Sequence, residues 1–364
     1  MGFHRIRIVL LTAALVFVSA NTVATAEPEI VFLPVDETPV IPLVSGHTDT
    51  GALVGTTAGN FSVSDGGAAN YYIPIVMVPG AAGHQPSVQL GYNSLGDNGV
   101  AGQGWSLNAG SAIRRCRQTH HTDGQMKAIS FTSEDRFCLD GEKLIPLNGA
   151  PYGAVGAEYK TEIDSYARIQ SFGGSVGHPD YFRVYGKDGS VREYGANENA
   201  KLRTTFNNTI TIEWKQNRHS DWVGNYIDYS YTDDNRAQGE SLLAAIDYTG
   251  NATAGLLPNS RVEFDYETRP DPITGYVAGS KYTISKRLKH IRVLDDAAEV
   301  RRYELSYLPI GTSLNTLSRL TSVQECAGTR CLPATTFEWQ PDVMGFESQY
   351  VTNDLGMSRD VGMV

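Results

Sequence analysis

Basic residues are in short supply: 30 Lys and Arg stand against 40 Asp and Glu, a formal net charge of −10. Binding to nucleic acid or anionic lipid is driven by Lys and Arg meeting phosphate, so neither is expected as the main partner. Cysteine is scarcer, with four residues and none in the C-x-x-C spacing of common zinc and redox sites. Apolar residues at helical spacing are nearly absent. Past residue 20 no apolar run approaches the ~20 residues that a bilayer-spanning helix needs. These shortages argue against a helical bundle, a helical membrane protein and a basic nucleic-acid module.

What is present points to β-structure. Hydrophobic content of 41% is ample for a core, and 37 glycines and 19 tyrosines suit short strands with one buried and one wet face. In residues 78–116, glycine falls at nearly every bend while apolar and polar residues alternate between bends, as in 87–92. Ile210, Ile212 and Trp214 share one face of a predicted strand, with Thr209, Thr211 and Glu213 pointing away. Val262, Phe264 and Tyr266 form a second stripe, and Tyr303, Leu305 and Tyr307 a third. Residues 181–185 and 190–194 flank Gly186-Lys187-Asp188-Gly189, a tight-hairpin signal, and Asp233-Asp234-Asn235 is read as another turn. Residues 241–246 read as either a short helix or a strand. The expected fold is all-β: antiparallel sheets of short strands with many Gly-rich turns, as a sandwich or partial shell.

The amino terminus has the marks of a secretory signal peptide over residues 1–26. His4, Arg5 and Arg7 precede an apolar run, and Ala24-Thr25-Ala26 is a small-residue cleavage site. Its removal takes two positive charges and no negative one, so −10 becomes −12. Residues 27–60, with Pro28, Pro34, Pro39 and Pro42, read as an extended Pro/Thr/Gly-rich leader. The β-domain is assigned to 61–340, and 341–364 begins a further segment that stops short. The product is expected outside the cytoplasm: secreted, periplasmic or on the cell surface, with no membrane contact after cleavage. In that compartment Cys116, Cys138, Cys326 and Cys331 are expected to form two disulfides. Of three connectivities the sequential one is favoured, because Cys326 and Cys331 bracket a four-residue turn and Cys116–Cys138 closes a loop worth roughly 3 kcal/mol. A zinc site of Cys116, His120, His121 and Cys138 is the alternative.

The elements Val78-Pro79-Gly80, Leu90-Gly91-Tyr92-Asn93-Ser94, Gly102-Gln103-Gly104-Trp105-Ser106-Leu107 and Ile113-Arg114-Arg115 resemble the N-terminal domain of the SpvB and TcdB-like insecticidal-toxin proteins, relatives of the Rhs/YD-repeat family. The resemblance continues through Asp135-Arg136-Phe137-Cys138-Leu139-Asp140-Gly141 to Thr335-Thr336-Phe337-Glu338-Trp339. It singles out Pro79, Gly80, Gly91, Tyr92, Gly102, Gly104, Trp105, Asp140 and Gly141 as structural motif positions. It implies a shell or scaffold component whose partners are downstream or separately encoded toxin and shell components, with no cofactor. In such proteins a propeller, a YD-repeat shell and a variable toxin would follow. This sequence ends before any of them, and a truncated relative is the expectation.

Catalytic candidates are weak. Gly173-Gly174-Ser175-Val176-Gly177 matches the G-x-S-x-G nucleophile elbow, with His178 and Asp180 nearby, but it runs into a strand where the elbow needs a helix. The family's ADP-ribosyltransferase chemistry needs an E-x-E element. Here only Glu27-Pro28-Glu29 fits, in the leader. Asp233-Asp234-Asn235 lacks the rest of a calcium loop, and Lys286-Arg287-Leu288-Lys289-His290 reads as a charged strand edge. Trp105 and Trp214 are candidates for stacking on a sugar, with burial as the alternative. The reading is a non-catalytic, metal-free structural or packaging domain, against a carbohydrate- or receptor-binding module and, less favoured, an enzyme.

Overall fold

The alternating stripes fold into a four-stranded sheet, a closed barrel and a second sheet in a computed structural model that describes residues 55–309 and 317–339. The expected signal peptide, the expected leader up to residue 54, Glu27-Pro28-Glu29 and the segment from 341 lie outside the described residues. All elements belong to one unit, residues 51–364. Helix is confined among the described residues to His120–Asp123 and three single 3₁₀ turns.

Strands β1 (Asn60–Val63), β2 (Ala69–Pro74), β3 (Gln89–Asn93) and β4 (Trp105–Asn108) form the first sheet in that order, all antiparallel. Eight strands then close a barrel: β5 (Ala112–Cys116), β6 (Arg136–Leu139), β7 (Glu142–Pro146), β8 (Glu158–Thr161), β9 (Arg168–Phe172), β10 (Tyr181–Tyr185), β11 (Val191–Tyr194) and β12 (Thr211–Ser220). Closure is made by Trp214 pairing with Ile113 and by Glu193 pairing with Arg218. Every barrel strand sends at least one side chain into a single core, including Ile113, Phe137, Leu144, Tyr159, Ile169, Phe182, Tyr194 and Trp214. An eight-stranded barrel has just enough interior for such side chains, so this one is packed and has no open lumen.

The far end of β12 pairs with β13 (Asn225–Tyr231), which opens a second sheet through β14 (Leu243–Asn251), β15 (Ser260–Val277), β16 (Ser280–Asp295), β17 (Ala298–Tyr307) and β18 (Leu320–Ala327). Thus β12 serves both the barrel and the sheet. Ile73, Leu90 and Trp105 of the first sheet pack against Tyr229, Ile246, Val262, Ile291, Tyr303 and Val323 of the second, so the two make a sandwich. Cross-ties fix the layers: the Tyr248 hydroxyl donates to Val78 O at 3.0 Å and Val76 N donates to the Tyr303 hydroxyl at 3.1 Å.

Several expectations hold and others need correction. The Gly186–Gly189 hairpin forms, and both sequential disulfides, Cys116–Cys138 and Cys326–Cys331, are present, so these cysteines are not zinc ligands. Residues 243–251 resolve the helix-or-strand ambiguity as strand. Not all strands are short. β15 spans 18 residues and β16 16, because the pairing crosses Pro270 and Pro272 by a register shift between Thr268 and Ile273 that asks nothing of the missing amide donors. The turn at Asp233-Asp234-Asn235 belongs to a longer connection with a 3₁₀ turn at Arg236–Gln238. The basic cluster lies in β16 with Leu288 fully buried. Its lysines and arginine are paired, Lys286 with Asp234 and Arg287 and Lys289 with Glu267, and His290 Nδ1 lies 3.5 Å from Asp265.

The loop after Pro79 returns to β12, where His84 Nε2 lies 3.1 Å from His219 O and the rings sit 4.7 Å apart. Burial, reinforced by His84 and Arg192, holds the His219 imidazole down at about 4 from an ordinary 6.5. Between those pH values the unfolded chain takes up a proton that the fold resists. Stability therefore falls as pH drops from 6.5 to about 4, and the contribution is whole above 6.5. With the ring's partial exposure the loss is about 1–2 kcal/mol. The unfolding free energies from urea titration at pH 7 and 4.5 should differ by that much less in His219→Gln than in the wild type.

Candidate functional site

Two motif segments far apart in sequence meet at one surface. Gly102-Gln103-Gly104 delivers Trp105 to the edge of the first sheet, and the closing Thr335-Thr336-Phe337-Glu338-Trp339 returns across it after pairing with β18. At Gly104 φ is +73°, and a Cβ there would stand 2.6 Å from the Tyr92 ring, so glycine is required both by conformation and by close approach. Trp105 and Phe337 rings are 4.8 Å apart, Tyr92 and Trp105 5.4 Å, Tyr71 and Phe337 5.9 Å, and Tyr92 and Trp339 6.1 Å. Such tilted and edge-on contacts add to area burial. The cluster lines a groove of about 460 Å³ that Phe61 completes from β1.

β1 is the edge of its sheet among the described residues, and all four of its residues are exposed, Phe61 by 68% and Val63 by 60%. A free edge with apolar side chains is a template for pairing with another chain. Trp105 itself is buried and its indole N–H has no partner among the described residues, while Trp339 donates to Leu320 O at 2.7 Å.

The remaining motif positions are structural in placement. Pro79 is exposed and leads into Gly80, whose amide donates to Gln85 Oε1 at 3.1 Å. Gly91 is buried in β3 beside Asn108. Gly102 sits against Ser318 O. Asp140 and Gly141 form the two-residue turn between β6 and β7, with φ of 49° and 94° as a type I′ turn needs. The Asp140 carboxylate accepts from Ala112 N and Ser111 Oγ, tying that turn to β5.

The catalytic candidates come apart. Ser175 and His178 exchange backbone hydrogen bonds in a tight turn between β9 and β10, not a strand-to-helix elbow. The turn instead caps the barrel: Gly177 O accepts from Arg115 NH2 at 2.9 Å, and His178 Nδ1 lies 3.1 Å from the same nitrogen. Burial and that guanidinium lower the His178 pKa, which leaves the ring neutral with Nδ1 free to accept. Arg115 also donates to Thr211 O and Asp135 Oδ2, and it lies over the rings of Phe137 and Trp214. His120 and His121 lie exposed in the short helix, where His121 Nε2 is 3.8 Å from Glu162. Trp214 is fully buried in the barrel core and offers no face to a sugar; the exposed tryptophan is Trp222, at 78%, which the sequence reading did not single out. Its position in the Asp221-to-Gly224 hairpin turn was the available signal. Among the described residues no group of acidic, Cys and His side chains is placed to hold a metal, and no helix is long and apolar enough to cross a membrane.

Comparison with known folds agrees with this geometry. The chain resembles the crystal structure of TcdB2-TccC3 with a TM-score of 0.62 and 19% identity, over 79% of this chain and 17% of that one. For the Photorhabdus luminescens Tc holotoxin pore the TM-score is 0.61, with 19% identity over 78% of this chain and 16% of that one. It matches the N-terminal domain of the effector protein SpvB from Salmonella typhimurium strain LT2 with a TM-score of 0.54 and 20% identity, over 70% of this chain and 99% of that domain. At these identities the likeness is one of fold, and the chain spans under a fifth of the length of the Tc toxin chains. No curated protein sequence matches it. The family model described as Salmonella virulence plasmid 65kDa B protein matches residues 63–255, more than half of the sequence, and the chain belongs to this SpvB family.

Proposed function

We propose that this chain is an exported, non-catalytic structural domain of a toxin-like assembly, and that it docks a shell or toxin component along β1 and the adjoining aromatic groove. One observation carries the reading: a strand edge, unpaired among the described residues, that exposes Phe61 and Val63 and from which Phe61 lines a ready-made aromatic groove. Main-chain pairing at such an edge supplies affinity, and pockets for alternate side chains supply specificity. Support for the class of partner comes from the Tc toxin complexes among its structural neighbours. The packed barrel core and the disulfide between β5 and β6 suit a rigid platform.

The test is affinity capture from the medium of the producing cells with the full chain and with Phe61→Lys/Val63→Lys. Lysine at an edge strand deters strand pairing, and both residues are exposed, so folding should change by no more than about 0.5 kcal/mol. Wild type should retain a YD-repeat shell or toxin component, and the variant should lose it by at least about tenfold. Equal recovery by both forms would overturn the docking site, and recovery of no such component by either would overturn the assembly role.

A further inference from the structure

The back face of β12 holds a second feature. Trp214 fills the barrel, so Glu213 and Lys215 point the other way, into a cleft between barrel and sandwich where both are only 8% exposed. The cleft comprises two adjoining cavities of about 500 and 390 Å³ that share Arg114, Glu213, Lys215, Ser241 and Leu242. Glu213 is neutralised there: Arg114 Nε and NH2 reach it at 2.8 and 2.7 Å. Asp140, on another wall, is already held by Ala112 N and Ser111 Oγ.

Lys215 feels the Glu213 charge but has no carboxylate in direct contact among the described residues. Its ammonium donates to the carbonyl of Ser241 and lies 4.8 Å from the centroid of the Tyr231 ring, but it makes no ion pair among the described residues. A lysine has three donors, and one carbonyl occupies one of them. Beside it the Ser241 hydroxyl is buried without a partner among the described residues. A buried charge without a counter-ion is costly, and burial accordingly lowers the Lys215 pKa. An anion seated in the cleft would satisfy all these groups at once. Arg114 and Lys215 balance Glu213 and Asp140 on the walls of the larger cavity, so the lining carries no net charge and a monoanion is favoured over a dianion.

We propose that this cleft is a binding site for a carboxylate, whose oxygens accept from the Lys215 ammonium and the Ser241 hydroxyl. The carboxylate belongs either to a small organic acid or to an acidic side chain of a partner polypeptide.

The experiment titrates the full chain with sodium acetate, with a doubly blocked glutamate residue and with inorganic phosphate at constant ionic strength, following the amide resonances of Lys215 and Ser241. Saturable shifts with acetate identify the small-acid source, and saturation by the blocked glutamate alone identifies the side-chain source. Either outcome supports the site. Lys215→Met should abolish saturation while leaving the melting temperature unchanged or raised, since an unpaired buried charge is removed. Ser241→Ala should weaken binding about tenfold and carries the test if Lys215→Met does not fold. Absence of saturation by both carboxylates, equal binding by phosphate, or undiminished binding in a folded Lys215→Met would overturn the proposal.

Discussion

Arg115→Met will cost the domain about 3–5 kcal/mol of stability, read as a drop in the urea midpoint at pH 7. Arg115 and Asp135 are sealed from solvent, with side-chain exposures of 0% and 1%, where they face each other at 3.1 Å. Removing the guanidinium leaves the Asp135 carboxylate buried, supported only by Ser130 and by Phe131 N. It also frees the carbonyls of Thr211 and Gly177, which converge on Arg115 from β12 and from the glycine-rich turn. The double variant Arg115→Met/Asp135→Leu should recover part of the loss, because no unpaired charge remains. A cost below about 1 kcal/mol in the single variant would show that the pair does not hold the barrel end.

Trp214→Ala should cost about 3–5 kcal/mol by the same measurement, because the largest side chain of the barrel core disappears. Trp214 is fully buried, packs edge-on against Phe182 and Phe137 at 5.2 and 5.3 Å, and donates its indole N–H to Pro179 O and Asp180 O. The Arg115 guanidinium lies 5.5 Å from its ring centroid, so the two substitutions touch one structure and their costs should fall short of additive. By contrast Ser175→Ala, in an exposed turn fixed by backbone bonds, has nothing to lose.

Local pattern was legible wherever one strand or turn carries its own signal. The stripes ending at Tyr266 and Tyr307, the Gly186–Gly189 hairpin and both disulfides follow from spacing alone. The stripe of Ile210, Ile212 and Trp214 does not hold: Ile210 precedes the strand, and a register shift at Ile212 breaks the alternation, so Ile212 lines the cleft with Glu213 and Lys215 while Trp214 fills the barrel. Barrel closure had no such signal. It depends on Ala112, Ile113 and Arg114 finding Lys215, Trp214 and Glu213 about a hundred residues later, and nothing in either segment encodes its partner. For the same reason Glu213 reads as pointing away from the buried face although a second layer leaves it only 8% exposed. The candidate groove was half legible: Trp105 and Trp339 stood out in separate motifs, but only the returning chain brings their segments together around Tyr92. The G-x-S-x-G match misled because a short polar pattern is satisfied as well by a turn that caps an arginine as by a nucleophile.

The strand that belongs to both barrel and sandwich sets a rule for how such proteins can be recombined. Residues 211–220 supply hydrogen bonds to strands that precede them and to strands that follow, so no breakpoint inside or beside this segment yields two self-sufficient halves. A recombinant junction placed outside the whole unit keeps both sets of these bonds in one polypeptide, so the domain is expected to survive transplantation only intact.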